Sequence, residues 1–316
     1  MDLSVVIPSY KSEKLVARSI QSAFAEGVSA ENIIVVEDGV FDDTARVVKA
    51  FDGVRLITLE RNQGAPHARN TGLASTRTRY VMFLDADDYV ENGLLRGLVD
   101  SIGKAGADLV IGPWLYNGDG RGSGMLRRAA QMSNAERIFH WLVRAFFPPC
   151  CVAWNTDSLR QIGGWDERLK KDQDGELMIR ALIAGLKVSV SHVGNGVYWQ
   201  HNSPDRVTLA QMEDVLYAAD VVYEQLQAWV HAGGGRDADE TCVTGLGRYC
   251  CKTAWAAFSY GDDAAGMRWI ARARQYGFDN RGYNYKSSLL AAFFGVRLSS
   301  RIKARTGSVY RRIAQR

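Results

Sequence analysis

The chain has 316 residues, 47% of them apolar and 23% charged, enough to bury a substantial globular core, and a net charge of +4 that gives no case for nucleic acid. Its five cysteines (Cys150, Cys151, Cys242, Cys250, Cys251) are odd in number and lack C-x-x-C spacing, which excludes a disulfide framework and a zinc site and leaves reduced, packed thiols. The longest apolar run, 289–296, falls far short of the ~20 residues a spanning helix needs, and Met1-Asp2 leads straight into an apolar strand, so the expectation is a cytoplasmic protein without a leader.

The first hundred residues alternate between strand and helix periods. Residues 3–8 form a short β-branched run ended by Pro8, the pattern of a buried parallel strand. Ser12 is a candidate cap for a helix carrying Val16, Ile20, Ala23 and Phe24. A strand over 33–36, a helix opened by Asp43-Thr44, a strand over 54–58, a helix over 65–74 and a strand over 80–84 follow. This order predicts right-handed βαβ units in a mostly parallel, Rossmann-like sheet flanked by helices, with ligands at the carboxyl ends of the strands. Farther on the pattern predicts a strand over 107–114, a mobile loop over 121–129 and a helix over 134–147. A helix over 177–186 and strands over 187–193 and 197–200 come next. From about residue 208 the chain reads as helical, with Gly233-Gly234-Gly235 as a linker.

Acidic residues collect at the predicted functional edge: Glu37-Asp38 after the second strand and Asp85-Ala86-Asp87-Asp88 after the fourth. Carboxylates this dense repel one another unless a cation or hydrogen-bond donors share the site. In a strand end, alternate residues point the same way, so Asp85 and Asp87 can face one ligand.

Six segments in series carry a resemblance: Val5-Val6-Ile7-Pro8-Ser9-Tyr10; Val36-Glu37-Asp38-Gly39 with Asp42-Asp43-Thr44; Arg61-Asn62-Gln63-Gly64-Ala65; Ala68-Arg69-Asn70-Thr71-Gly72; Phe83-Leu84-Asp85-Ala86-Asp87-Asp88; and Gly163-Gly164-Trp165-Asp166-Glu167. Over residues 2–202 the chain resembles the inverting family 2 glycosyltransferases of GT-A fold. The resemblance implies a GT-A domain over 1–207, with a nucleotide-sugar-binding half over 1–112 and an acceptor half over 113–207, then a helical region over 208–316. It also implies transfer of a sugar from a nucleoside diphosphate sugar, a UDP-sugar favoured, to a glycan or lipid-linked glycan acceptor.

Pro8, Ser9 and Tyr10 would line the base and Asp38 would accept from a base N–H. Arg61, Arg69 and Asn70 would hold phosphate oxygens, since charge-assisted hydrogen bonds suit that task. By the same resemblance Asp85 and Ala86 contact the donor. Asp87, with His201, binds a divalent metal, Mn²⁺ or Mg²⁺, hard ions that prefer oxygen ligands. The general base falls on Asp174, with Asp172 and Glu176 as rivals; Gln173 stands where the family has Glu. Trp154 and Trp165 flank the acceptor side, and Trp165, in place of the family's Phe, has packing as its other reading.

Residues 281–316 carry nine Lys and Arg and no Asp or Glu, and 287–316 interleave them with Leu, Phe and Ile. Such a tail favours an anionic membrane surface, with a basic helix packed on the domain as the alternative. A nucleotidyltransferase would want a Gly-rich loop near the N-terminus, which Pro8-Ser9-Tyr10-Lys11-Ser12 lacks. A degenerate binding module is favoured by Gln173 alone. A nucleic-acid-binding protein would spread its basic residues through the fold, so no nucleic acid is expected.

Overall fold

A computed structural model describes residues 1–39, 42–116, 126, 131–143, 147–199, 211–234 and 239–278. The chain divides into two compact units, one of Met1–Met132 with Phe146–Leu209, the other of Ser133–Ala145 with Ala210–Arg316.

The first unit opens with β1 (Leu3–Ser9), whose seven residues are all buried because both faces of the strand are covered. It continues through α1 (Val16–Ala25), β2 (Ile33–Glu37), α2 (Thr44–Lys49), β3 (Arg55–Thr58), α3 (Ala65–Ser75) and β4 (Tyr80–Phe83). β5 (Tyr89–Glu91), α4 (Leu94–Ala105), β6 (Leu109–Ile111) and β7 (Trp114–Tyr116) follow. α5 (Asn134–Val143) lies in the second unit. The chain then returns through β8 (Val152–Asn155), α6 (Thr156–Gln161), α7 (Gln173–Ile183), β9 (Val188–Val190) and β10 (Asn195–Tyr198).

The main sheet runs β3-β2-β1-β4-β8-β6-β9. β1 pairs in parallel with both β2 and β4, β2 with β3, and β6 with β9; only β8 runs against its neighbours. The predicted sheet flanked by helices is therefore present. Leu3, Val5, Ile7, Ile20, Ile33, Val35 and Met82 pack into its core. α3 lies against β1 closely enough that Gly72 meets Val6: a Cβ there would stand 2.2 Å from Val6 Cγ1, so any larger residue would push the helix off the sheet.

The structure corrects several boundaries. The strand expected over 107–114 is two strands in different sheets, broken at Gly112-Pro113, where proline has no N–H for the ladder. β7 joins β10 and β5 in a separate three-stranded sheet. β10 covers Asn195–Tyr198 rather than 197–200, and α7 starts at Gln173 rather than residue 177. The expected Ser12 cap is not formed: the helix begins at Val16, and the Ser12 hydroxyl bonds the Tyr10 carbonyl. β5 and β8 carry no sequence pattern long enough to announce them. The loop expected over 121–129 lies outside the described residues except for Leu126.

The second unit adds α8 (Met212–Trp229), α9 (Asp239–Tyr260) and α10 (Asp263–Gln275), the helical content expected after residue 208. Gly233 and Gly234 end a short π-helical stretch, Val230–Gly234. Arg272 pairs with Asp220 and lies over the Tyr223 and Trp269 rings at 4.3 and 4.4 Å. Cys150, Cys151, Cys250 and Cys251 are buried thiols outside any disulfide. Among the described residues no helix is long and apolar enough to cross a membrane. The basic tail lies outside the described residues.

Candidate active site

The parallel strands β1, β2 and β4 deliver their carboxyl ends to one edge. The β1 end carries Pro8 and Ser9, both buried, and an exposed Tyr10 whose ring lies 5.2 Å from the Lys11 ammonium. Ser9 and Glu37 are register partners, and the Ser9 carbonyl accepts from Asp38 N at 2.8 Å. Asp38 is buried and its two oxygens accept from the backbone N–H of Gln63 and Gly64, each at 2.8 Å. That clamp fixes the turn leading into α3, where Gly64 takes a φ of +92° that favours glycine. Gly39 passes so close to the Arg61 backbone that a Cβ would sit 2.0 Å from its carbonyl carbon. Arg61 itself is exposed on this turn.

The β4 end carries the acidic turn. Asp85, Asp87 and Asp88 offer carboxylate oxygens all within 4.8 Å of one another. Asp88 is fully buried: its Oδ1 accepts from Trp199 N at 2.8 Å, and the buried Cys150 thiol lies against the carboxylate. Burial pushes its carboxyl well above the usual carboxylate range, with Asp85 and Asp87 pushing the same way. Three carboxylate donors at this separation, one of them fully buried, fit a hard divalent cation, which would reverse that electrostatic cost.

Arg69, on α3, reaches from this turn to α7. Its guanidinium donates to Asp85 Oδ1 at 2.7 Å and to Gln173 Oε1 at 3.1 Å, and lies 4.0 Å from Asp174 Oδ1. Burial works against its charge, and Asp85 and Asp174 outweigh that penalty. Gln173 is held in turn by the Leu169 carbonyl at 3.1 Å. Asp174 takes a hydrogen bond from Trp165 Nε1 at 3.2 Å, and burial raises its carboxyl above the usual range. Asp172, at a left-handed φ of +53°, precedes α7 and its carboxylate packs on Gly175. Glu176 is wholly buried and makes a two-pronged ion pair with Arg180 at 2.7 and 2.9 Å. Arg180 also donates to the Ile162 and Gly164 carbonyls.

The remaining expected residues are placed as follows. The Asn70 amide bonds both the carbonyl and the N–H of Trp165, each at 2.9 Å, and Glu167 Oε1 at 2.8 Å, tying α3 to the Gly-Gly-Trp-Asp-Glu turn. Trp154 sits in β8 and Trp165 packs edge-on against Phe83; both are 4% exposed, so neither offers a ring face to an acceptor sugar. Trp165 reaches the site through its indole N–H instead. His201 lies outside the described residues. Two residues without a sequence signal, Arg18 and Ser19 of α1, reach the backbone of the acidic turn. Only their place in the helix that follows the first βα turn could have drawn attention to them.

The family model described as glycosyl transferase family 2 matches residues 4–163. The chain is 30% identical over 243 residues to the succinoglycan biosynthesis protein ExoO of Rhizobium meliloti (strain 1021), covering 70% of this chain and 68% of that protein. In three dimensions it matches S. aureus TarS residues 1–349, solved in complex with UDP-GlcNAc, at a TM-score of 0.72. That match has 19% identity and covers 97% of this chain and 92% of the other. A mannosyltransferase from Pyrobaculum calidifontis, solved with GDP-Man and Mn²⁺, matches at a TM-score of 0.58 and 14% identity over 98% of this chain and 87% of that one. The sheet is thus of GT-A type, and the chain belongs to glycosyl transferase family 2.

Proposed function

We propose that this glycosyltransferase moves a sugar from a nucleoside diphosphate sugar, a UDP-sugar favoured, to a hydroxyl of a glycan or lipid-linked glycan, with inversion at the transferred carbon. The observation that carries the reading is the continuous path from the acidic turn through Arg69 to Asp174, because it sets a metal-and-donor site beside a base. Asp87 and its neighbours in the acidic turn would hold Mn²⁺ or Mg²⁺, and His201 is proposed as a further ligand. The cation supplies Lewis-acid neutralisation of the departing diphosphate. Support comes from the three clustered carboxylates of the acidic turn and from the Mn²⁺ and UDP-GlcNAc named with the structurally similar transferases. Polysaccharide biosynthesis as the setting follows the name of the relative in Rhizobium.

Asp85 orients the donor while Arg69 holds it in place. Pro8, Ser9, Tyr10 and Asp38 line the base, the last through the lone pairs its oxygens keep beside the Gln63 and Gly64 N–H groups. Arg61, exposed on its turn, is the cation best placed to meet phosphate. Arg69 and Asn70, expected on phosphate from sequence, are occupied by side-chain and backbone partners, so their contribution is to hold the site in shape. Asp174 takes the acceptor proton: a carboxylate raised by burial is a stronger base than a solvated one. Glu176 is bound up with Arg180, which disfavours it in that role.

The reading is tested by donor binding and slow hydrolysis across a panel of nucleotide sugars, with Mn²⁺ or EDTA. Metal-dependent turnover of one donor, lost in Asp87→Ala, is expected. Silence across the panel from folded, metal-supplied protein would favour a binding module without turnover.

A further inference from the structure

The four successive carbonyls of the acidic turn lie beside hydrogen-bond donors, with the one proton of the Ser19 hydroxyl shared between two of them. The Asp85 carbonyl accepts from Asp88 N at 2.9 Å. The Ser19 hydroxyl lies 2.8 Å from the Ala86 carbonyl and 2.7 Å from the Asp88 carbonyl. The Asp87 carbonyl takes Arg18 Nη2. Both helix residues come from α1, more than sixty positions earlier in the chain. The Arg18 guanidinium lies 4.8 Å from the Tyr89 ring and 4.6 Å from the Trp199 ring. Trp199 is also the residue whose N–H bonds Asp88. Arg18 is thus committed to a carbonyl and two neighbouring rings, and cation–π contact with both holds its position.

A turn that crowds three carboxylates resists its own geometry by like-charge repulsion. Anchoring the Ala86, Asp87 and Asp88 carbonyls fixes the backbone that carries the Asp85, Asp87 and Asp88 side chains. We propose that Arg18 and Ser19 are positioning residues for the metal site: they hold the backbone of the acidic turn so that its carboxylates are preorganised for a divalent cation. This rests on the metal reading given above.

The test uses the full chain and follows free Mn²⁺ by its EPR signal during titration in the presence of UDP; calorimetry of UDP without metal runs alongside. Arg18→Met and Ser19→Ala should each weaken Mn²⁺ binding by about 10- to 100-fold, the usual cost of removing an outer-shell support. Metal-free UDP affinity should stay at the wild-type value, and Arg18→Lys, which keeps a cation and a donor, should recover most of the loss. Wild-type Mn²⁺ affinity in both Arg18→Met and Ser19→Ala overturns the proposal. So does a parallel loss of metal-free UDP binding, which would mark a general disruption of the pocket. A wild-type chain that binds UDP but no Mn²⁺ refutes the metal reading itself, and this proposal with it.

Discussion

Burial pushes the Asp174 carboxyl above the usual carboxylate range; the Arg69 guanidinium opposes that, Asp85 adds to it, and the Trp165 indole N–H opposes it. Because the folded state holds this proton to higher pH than the unfolded chain, ionising Asp174 costs stability, and that cost grows as pH rises through its raised pKa. Activity runs the other way, since the base works only when ionised. Trp165→Phe removes a donor that favours the carboxylate, so the acid limb of kcat/KM against pH should move to higher pH. Asp174→Asn should lower kcat by about 10²- to 10⁴-fold at every pH. A Trp165→Phe limb that stays in place would detach the indole from the base. At this scale the clustering of the acidic turn was legible from residue type and spacing, whereas Asp174 was singled out only through the family resemblance. The roles of Arg18 and Ser19 were not legible: they act on backbone carbonyls, and any sequence supplies those. Arg69 was legible as functional but not in what it binds, because its partners lie 16 and 104 residues away.

α7 is an element whose charges work locally. Glu176 and Arg180, one turn apart on it, form a buried pair, and Arg180 reaches on to the Ile162 and Gly164 carbonyls. Arg180 therefore fixes the Gly163-Gly164 turn, which presents Trp165 to Asp174. Arg180→Met would take the cation from a wholly buried carboxylate, and removing one partner of such a pair costs about 3–5 kcal/mol. The urea midpoint should fall with the slope of the transition unchanged; an unaltered midpoint would show that the pair contributes nothing net. Elements of this kind, with helical periodicity or long β-branched runs, were readable in advance. β8 was not, being four residues between the Pro148-Pro149-Cys150-Cys151 corner and a helix. Its one signal was Asn155, which caps α6 by accepting from the Asp157 and Ser158 N–H groups.

For the molecule as a whole, the first unit carries the whole of the proposed donor site, and the second adds helices and the basic tail. If that tail binds an anionic membrane surface, each cation adding about 1 kcal/mol, full-length protein should float with anionic liposomes and a chain truncated at Ser287 should not. Equal flotation would leave the tail as a solvated basic segment. The antiparallel strand β8 also has a consequence for synthesis. β3, β2, β1 and β4 are complete by residue 83, but the far edge of β4 is covered only when residues 152–155 arrive. At about 5–20 residues per second the ribosome takes several seconds to deliver them. Throughout that interval Tyr80-Val81-Met82-Phe83 is an apolar, unpaired strand edge, open to any neighbouring nascent chain. The strand that bridges β4 to β6 is thus also what closes that exposed edge.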